Sequence, residues 1–227
     1  MDACLCPIQK SFPDPVCDPV SVSATMFDLS RWPLFHRLPV AAIQAIQRCA
    51  TERQFRAGEL LLAAGARAEW LHVIADGLVR EFYVTAAGDE HTRVFVSTGG
   101  VTGSLLDLTS GAPSVTWIQA LEPTRTAAIR YADFNRLASQ HRELESLARA
   151  LTQSLAIRKT KREYEMLALS AQERLAIWRA ENPGLDGRIT RRLLASYLGI
   201  TPVHLSRISS KAAVERRREK ARPHVEG

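Results

Sequence analysis

The stretch Leu194-Ala195-Ser196-Tyr197-Leu198-Gly199-Ile200-Thr201-Pro202-Val203-His204-Leu205-Ser206-Arg207-Ile208 reads as two short helices joined at a glycine. With Arg191 as position 1 of a helix-turn-helix, Ala195 falls at position 5, where the helices cross closely and only a small side chain fits. Gly199 falls at position 9, where the turn can require a positive φ that costs glycine little. Leu194, Leu198, Ile200, Leu205 and Ile208 take the inward positions of the two helices. Thr190 can cap the first helix and Thr201 the second, with Pro202 in the first turn where a missing N–H is harmless. The alternative is an ordinary helical hairpin. Seven agreeing positions and two caps favour the DNA-binding motif.

Charge supports that reading. The chain has 227 residues and a formal net charge of +6. Residues 188–227 hold ten Lys/Arg against three Asp/Glu, and residues 1–187 hold twenty against twenty-one. All the excess positive charge therefore lies around the motif, as expected where one module meets nucleic acid. The second helix of such a motif enters the major groove. Its outward residues are Thr201, Pro202, Val203, His204, Ser206, Arg207 and Lys211. Arg207 is the best base reader, because a guanidinium can bridge O6 and N7 of guanine. Arg191, Arg192 and Lys211 are placed for phosphates, which give affinity without sequence information.

Upstream, residues 1–25 carry four prolines and no hydrophobic period, and read as a mobile leader. Val40, Ile43 and Ile46 then share one helical face. From about residue 53 to 130, short apolar runs alternate with glycine: Glu59–Leu62, Trp70–Ile74, Leu78–Val84, Thr92–Val96, Val115–Leu121 and Thr126–Ile129. Such spacing predicts an antiparallel sandwich or barrel, with a hairpin turn at Gly88-Asp89. Glycine is absent from Tyr131 through Asn182, which predicts helix, and His141 to Leu169 would extend ~42 Å. Leu144, Leu147, Leu151 and Leu155 form a narrow apolar stripe suited to a second helix, so a homodimer seam is expected there. Arg158-Lys159-Thr160-Lys161-Arg162 interrupts the stripe. It reads as a solvated helix face, with an anion site beside Thr160 as the sharper option. Ser170-Ala-Gln-Glu173 is a capping box that starts another helix, ending near Asn182-Pro183-Gly184.

The four cysteines, Cys4, Cys6, Cys17 and Cys49, match no cluster spacing, so ordinary thiols are the preferred reading over an iron–sulfur site. A composition with 46% hydrophobic and 24% charged residues, lacking any long apolar run, points away from membrane, fibrous and disordered classes. The N-terminus lacks a secretory pattern, so a cytoplasmic location is expected.

A glycine-rich β domain, a long pairing helix and a helix-turn-helix together resemble the Crp/Fnr family of bacterial transcription regulators, from about Trp32 to Arg207. Phe55-Arg-Ala-Gly-Glu-Leu-Leu-Leu-Ala-Ala-Gly65 looks like that family's opening strands, and Leu71-His-Val-Ile-Ala-Asp-Gly-Leu-Val-Arg80 like its next pair. Ser170-Ala-Gln-Glu-Arg-Leu175 resembles the start of its DNA-binding domain. The resemblance implies an α+β chain: a flexible leader at 1–25, a jelly-roll sensor domain at 26–140, a dimerisation helix at 141–168 and a helix-turn-helix domain at 169–227. It further implies double-stranded DNA, a second copy of the chain, RNA polymerase and a small effector as partners.

Departures from the family fall on the ligand chemistry. The cyclic-AMP cassette of the family reads Gly-Glu-Leu, then Arg followed by small residues. Here Gly103-Ser104-Leu105 opens the segment, with Ser104 in the Glu place and Pro113 in the Arg place, before Ser114-Val115-Thr116. A buried phosphate without a cation is costly, so cyclic AMP is not the expected effector. Gly103, Ser104, Leu105, Ser114, Val115, Thr116 and Thr160 remain the candidate effector pocket, either as scaffold alone or for another small molecule. The family's oxygen-sensor cysteines are spaced differently from these, and its Arg-Glu-x-x-x-Arg recognition pattern survives only at Arg207, so a different target sequence is implied. Residues after Ile208 lack the strand pattern of a wing.

Two other function classes compete. A cupin-like metalloenzyme needs clustered ligands, and the β domain offers only the separated His72 and His91. A signalling module with an idle helix-turn-helix conflicts with the charge asymmetry. No nucleophile elbow, P-loop or zinc motif occurs, so the chain is not expected to be an enzyme.

Overall fold

A computed structural model describes residues 28–210, which fall into two compact units that divide between Ile157 and Arg158. The leader with Cys4, Cys6 and Cys17, and the tail from Lys211 onward, lie outside the described residues.

The first unit is built on two four-stranded antiparallel sheets. One has the order β1 (Thr51–Phe55), β8 (Thr124–Arg130), β3 (Trp70–Asp76), β6 (Val101–Thr102). The other has the order β2 (Leu60–Leu62), β7 (Trp117–Ala120), β4 (Leu78–Val84), β5 (Glu90–Ser97). Strands adjacent in sequence fall repeatedly in opposite sheets, which is the jelly-roll pattern. The glycine-punctuated runs became strands because each carries apolar residues for the interior, and each break turns the chain. The β4–β5 hairpin turns at Gly88, with φ +85°. At Gly103 a side chain is excluded: a Cβ there would lie 2.5 Å from the Trp70 carbonyl oxygen.

Between the sheets pack Ile74, Val79 and Ile118, backed by Leu61, Leu62 and Val96. A second core lies on the opposite side of the first sheet. There Leu71, Val73, Ala127 and Ile129 meet Ala42, Ile43, Ala45 and Ile46 of α1 (Val40–Cys49), Phe134 and Leu137 of α3 (Tyr131–Gln140), and Leu144 and Leu147 of α4 (Arg142–Ala168). Val40, expected on the buried face of α1, is instead 68% exposed at the helix start. The short α2 (Leu105–Ser110), β1 and β6 are additions to the sequence reading.

The apolar stripe of α4 has a different use from the one expected. Leu144 is fully buried and Leu147 nearly so, both in the core of their own chain, and Leu151 packs against the same cluster. Leu155 is half-buried. Leu144 and Leu147 are thus taken up by the chain's own core, while Leu151 and Leu155 stay only partly covered.

The second unit contains the end of α4, α5 (Ala171–Glu181), α6 (Arg191–Leu198) and a helix α7 that occupies residues 202–210. The capping box forms as expected: the Ser170 hydroxyl accepts from Glu173 N at 3.3 Å, and the Glu173 carboxylate accepts from Ser170 N at 2.8 Å. Leu175, Trp178, Leu185, Ile189, Leu194, Ala195, Leu198 and Leu205 are its buried apolar residues. Among the described residues, no helix is long and apolar enough to cross a membrane.

Because Leu144 belongs to the monomer's core, Leu144→Ala should lower unfolding free energy by ~2–5 kcal/mol in urea titrations. A change under about 1 kcal/mol would mean that the helix does not rest on the β domain.

Candidate nucleic-acid interface and effector cassette

The two-helix motif closes as its residues dictate. Thr190 caps α6 by accepting from Leu193 N at 3.3 Å. Gly199 follows in the left-handed region at φ +69°, and Ile200 N returns to the Ala195 carbonyl at 3.0 Å, which satisfies the end of α6. Thr201 then caps α7 by accepting from His204 N at 3.2 Å. Ala195 is fully buried at the crossing. Leu194, Leu198 and Leu205 are buried, and Ile200 and Ile208 are half-buried, so all five expected inward positions turn inward.

On the opposite side Thr201, Pro202, Val203, His204 and Arg207 are exposed, as are Arg191 and Arg192 at the start of α6. Val203 is 62% exposed, an apolar side chain offered to solvent at a helix N-terminus. Ser206 is half-buried and less available than its neighbours.

The cassette centres on a residue that the sequence reading missed. Asp107, on α2, is 4% exposed. Its Oδ2 accepts from the Ser104 hydroxyl at 2.6 Å and from the Ser114 hydroxyl at 2.5 Å. Ser104 Oγ also lies 3.2 Å from Thr116 Oγ1, and Thr116 N donates to Ser114 Oγ at 3.0 Å. Ser104 holds an unusual left-handed conformation, φ 49°, at the start of α2. Burial pushes the pKa of Tyr83 up and the Asp107 charge adds to the rise, while a hydrogen bond with Thr116 opposes it. Ser104 and Ser114 thus converge on Asp107, with Thr116 bonded to both serines; Gly103 packs against Trp70 and Leu71, Leu105 is half-buried and Val115 is 58% exposed. Thr160 lies exposed on α4, in the second unit. Pro113 forms an isolated bridge with Arg67. A carboxyl holds the hydroxyls that a phosphate would need.

Charge inside the roll is similarly committed. Glu81, 4% exposed, pairs with Arg93 and accepts from the Thr102 hydroxyl at 2.6 Å. At the surface Arg125, its side chain 47% exposed, pairs with Glu52 at 3.0 Å. His72 is buried, with Nδ1 3.0 Å from Thr126 Oγ1, and burial chiefly, with the Arg53 charge, pushes its pKa down to about 3. It is therefore a neutral core imidazole at ordinary pH. Among the described residues, no three His, Cys, Asp or Glu side chains gather as a metal site would require. Cys49 is an intermediate-exposure free thiol on α1.

Of the Arg158–Arg162 cluster, Arg158, Lys159, Thr160 and Lys161 are exposed, Lys161 pairing with Glu181, and Arg162 is half-buried against α6. The solvated-face reading therefore fits all but Arg162.

Residues 52–141 match the cyclic nucleotide-binding domain family. With its long helix and helix-turn-helix, the chain is a Crp/Fnr-type protein in fold. It resembles FixK2 from Bradyrhizobium japonicum, at 21% identity over 73% of this chain and 85% of that one, with a TM-score of 0.65. It also resembles the Thermus thermophilus catabolite activator protein, at 25% identity over 81% and 87% of the two chains and a TM-score of 0.52. A Crp/Fnr-family chain from Eubacterium rectale is 16% identical over 81% and 88%, with a TM-score of 0.64. A search of curated proteins finds no match.

With a carboxyl buried at the centre of the cassette, cyclic AMP and cyclic GMP should give no binding heat by calorimetry at micromolar protein. Tight binding of either would show that a cation reaches the cassette from elsewhere.

Proposed function

We propose that this chain is a sequence-specific, DNA-binding transcription regulator that acts in the cytoplasm as a homodimer on an inverted repeat, is not an enzyme and is not controlled by cyclic AMP. The observation that carries the reading is the doubly capped helix pair, whose outward face consists of Thr201, Pro202, Val203, His204 and Arg207, all exposed. This face sets an exposed valine four residues before an exposed arginine, one helical turn apart. Major-groove chemistry has a use for both: Arg207 suits guanine, and Val203 suits the thymine methyl group. Arg191 and Arg192 serve phosphates. RNA polymerase is the natural partner of such a regulator. An effector other than a cyclic nucleotide would act through the β domain, with an iron–sulfur cluster on the leader cysteines the lesser alternative.

The dimer seam follows from the remaining face of α4. Ile157 and Tyr164 are seven residues apart, as are Thr160 and Leu167, and all four are exposed, Leu167 at 81%. This heptad spacing is that of paired helices. Exposed leucine and tyrosine on a long helix favour a second copy as their cover.

Selection from a random duplex library should return an inverted repeat with half-sites ~34 Å apart. On that site Arg207→Ala should cost ~1–3 kcal/mol and relax preference at one base pair, while Arg192→Ala should weaken all sequences alike and reduce the salt slope. Equal losses on selected and random DNA for both variants would remove Arg207 from base reading. Separately, Leu167→Glu should shift the protein toward monomer in sedimentation at micromolar concentration, and a monomeric wild type would refute the seam.

A further inference from the structure

We propose that Arg162 and Glu165 are positioning residues for DNA recognition, fixing the α6–α7 helix pair at one angle on the last turns of α4. The inference rests on the DNA-binding, dimeric reading above and adds to it a part that sits away from the DNA face.

Arg162 donates through Nη2 to the carbonyl oxygen of Tyr197, in the last turn of α6, where helix carbonyls lack intrahelical partners and the dipole is negative. Its guanidinium carbon lies 4.2 Å over the Tyr197 ring, and Nη1 is 3.4 Å from Glu165 Oε2. Glu165 is only 6% exposed and also faces Lys161 at 3.6 Å. Lys161 in turn pairs with Glu181 at the end of α5. Arg174 of α5 donates to the Leu169 carbonyl at 2.6 Å, closing the end of α4. Next to Arg162 and Glu165 on the same face, the Met166 methyl fills the space beside Gly199; a Cβ on Gly199 would lie 2.6 Å from it. Three residues of α4 therefore grip the turn of the reading motif from one side.

A nearly buried ion pair is a poor means of stabilising a helix bundle, because desolvation consumes much of the attraction. An apolar contact would hold these helices as firmly. What a stacked, carbonyl-bonded guanidinium adds is a single geometry, since its planar fork tolerates little rotation. Geometry matters here because a dimer gains from its second reading head only when both heads can engage at once. Tyr164 and Leu167, the proposed seam, lie about half a turn around α4 from Arg162 and Glu165. The last turns of α4 thus carry the reading head on one side and offer the other to a second copy.

The test compares the inverted repeat selected by wild type with the same duplex carrying one scrambled half-site. Arg162→Ala should lose about tenfold or more on the inverted repeat and less than about threefold on the single half-site, with the dimer mass unchanged. Arg162→Lys, which keeps the charge but not the stacking, should recover part of the loss. Glu165→Gln, which keeps the shape of the side chain, should repeat the pattern more weakly and serves where Arg162→Ala fails to fold. Equal losses on the two duplexes, or none, would overturn the positioning role. Failure of wild type to select any inverted repeat would sink the DNA-binding reading itself, before any variant is compared.

Discussion

A helix of 27 residues is long, and α4 must satisfy a different demand in each part. In its first half Leu144, Leu147 and Leu151 complete the core of the β domain. In its last turns Arg162, Glu165 and Met166 hold the turn of the helix-turn-helix, while Thr160, Tyr164 and Leu167 stand exposed. Were the leucines of the first half withdrawn to pair with another copy, Phe134, Leu137 and Ile46 would lose their cover. Burying a leucine is worth ~1.5–3 kcal/mol, so that exchange could not come free.

The division also explains why the sequence misled where it did. Leu144, Leu147, Leu151 and Leu155 recur at three- and four-residue spacing, and periodicity says only that such a face is buried. It does not say by what. The competing seam alternates apolar with polar residues, Ile157 and Leu167 with Thr160, and so stands out less. Arg162 looked like a solvent-facing charge for the same reason: a charge is read as exposed unless its partner is known, and Tyr197 is distant in sequence. By contrast, the helix-turn-helix was legible almost residue by residue. Its determinants are local: a small residue at a crossing, a glycine at a positive φ, and threonines whose hydroxyls reach N–H groups three residues on. The strands were legible for a similar reason, since glycines bounded them, while the two-residue β6 and the single-turn α2 were too short to show a period.

Asp107 marks the limit in the cassette. Comparison with the cyclic-AMP cassette pattern draws the eye to Ser104 and Pro113, the places where expected charges are missing. The residue that decides the chemistry is instead a carboxylate between them that no pattern singles out. Its partners Ser104 and Ser114 stand three and seven residues away, but no periodicity marks the turn that brings their hydroxyls onto its carboxyl. The missing arginine and the added aspartate act in one direction. The first removes the attraction for an anion, and the second supplies repulsion and takes up the hydroxyl donors.

That internal satisfaction bears on control. In a ligand-gated protein, an effector shifts a population only to the extent that it binds one state better than the other. A cassette whose hydroxyls are already bonded to its own carboxyl would have to break those bonds for an incoming anion, and the Glu81–Arg93 pair would have to open for Arg93 to serve as the missing cation. Removing one partner from a buried pair leaves an uncompensated charge, at a cost of several kcal/mol. An effector that acts here therefore needs to donate hydrogen bonds to Asp107 in place of Ser104 and Ser114, not to bring a phosphate.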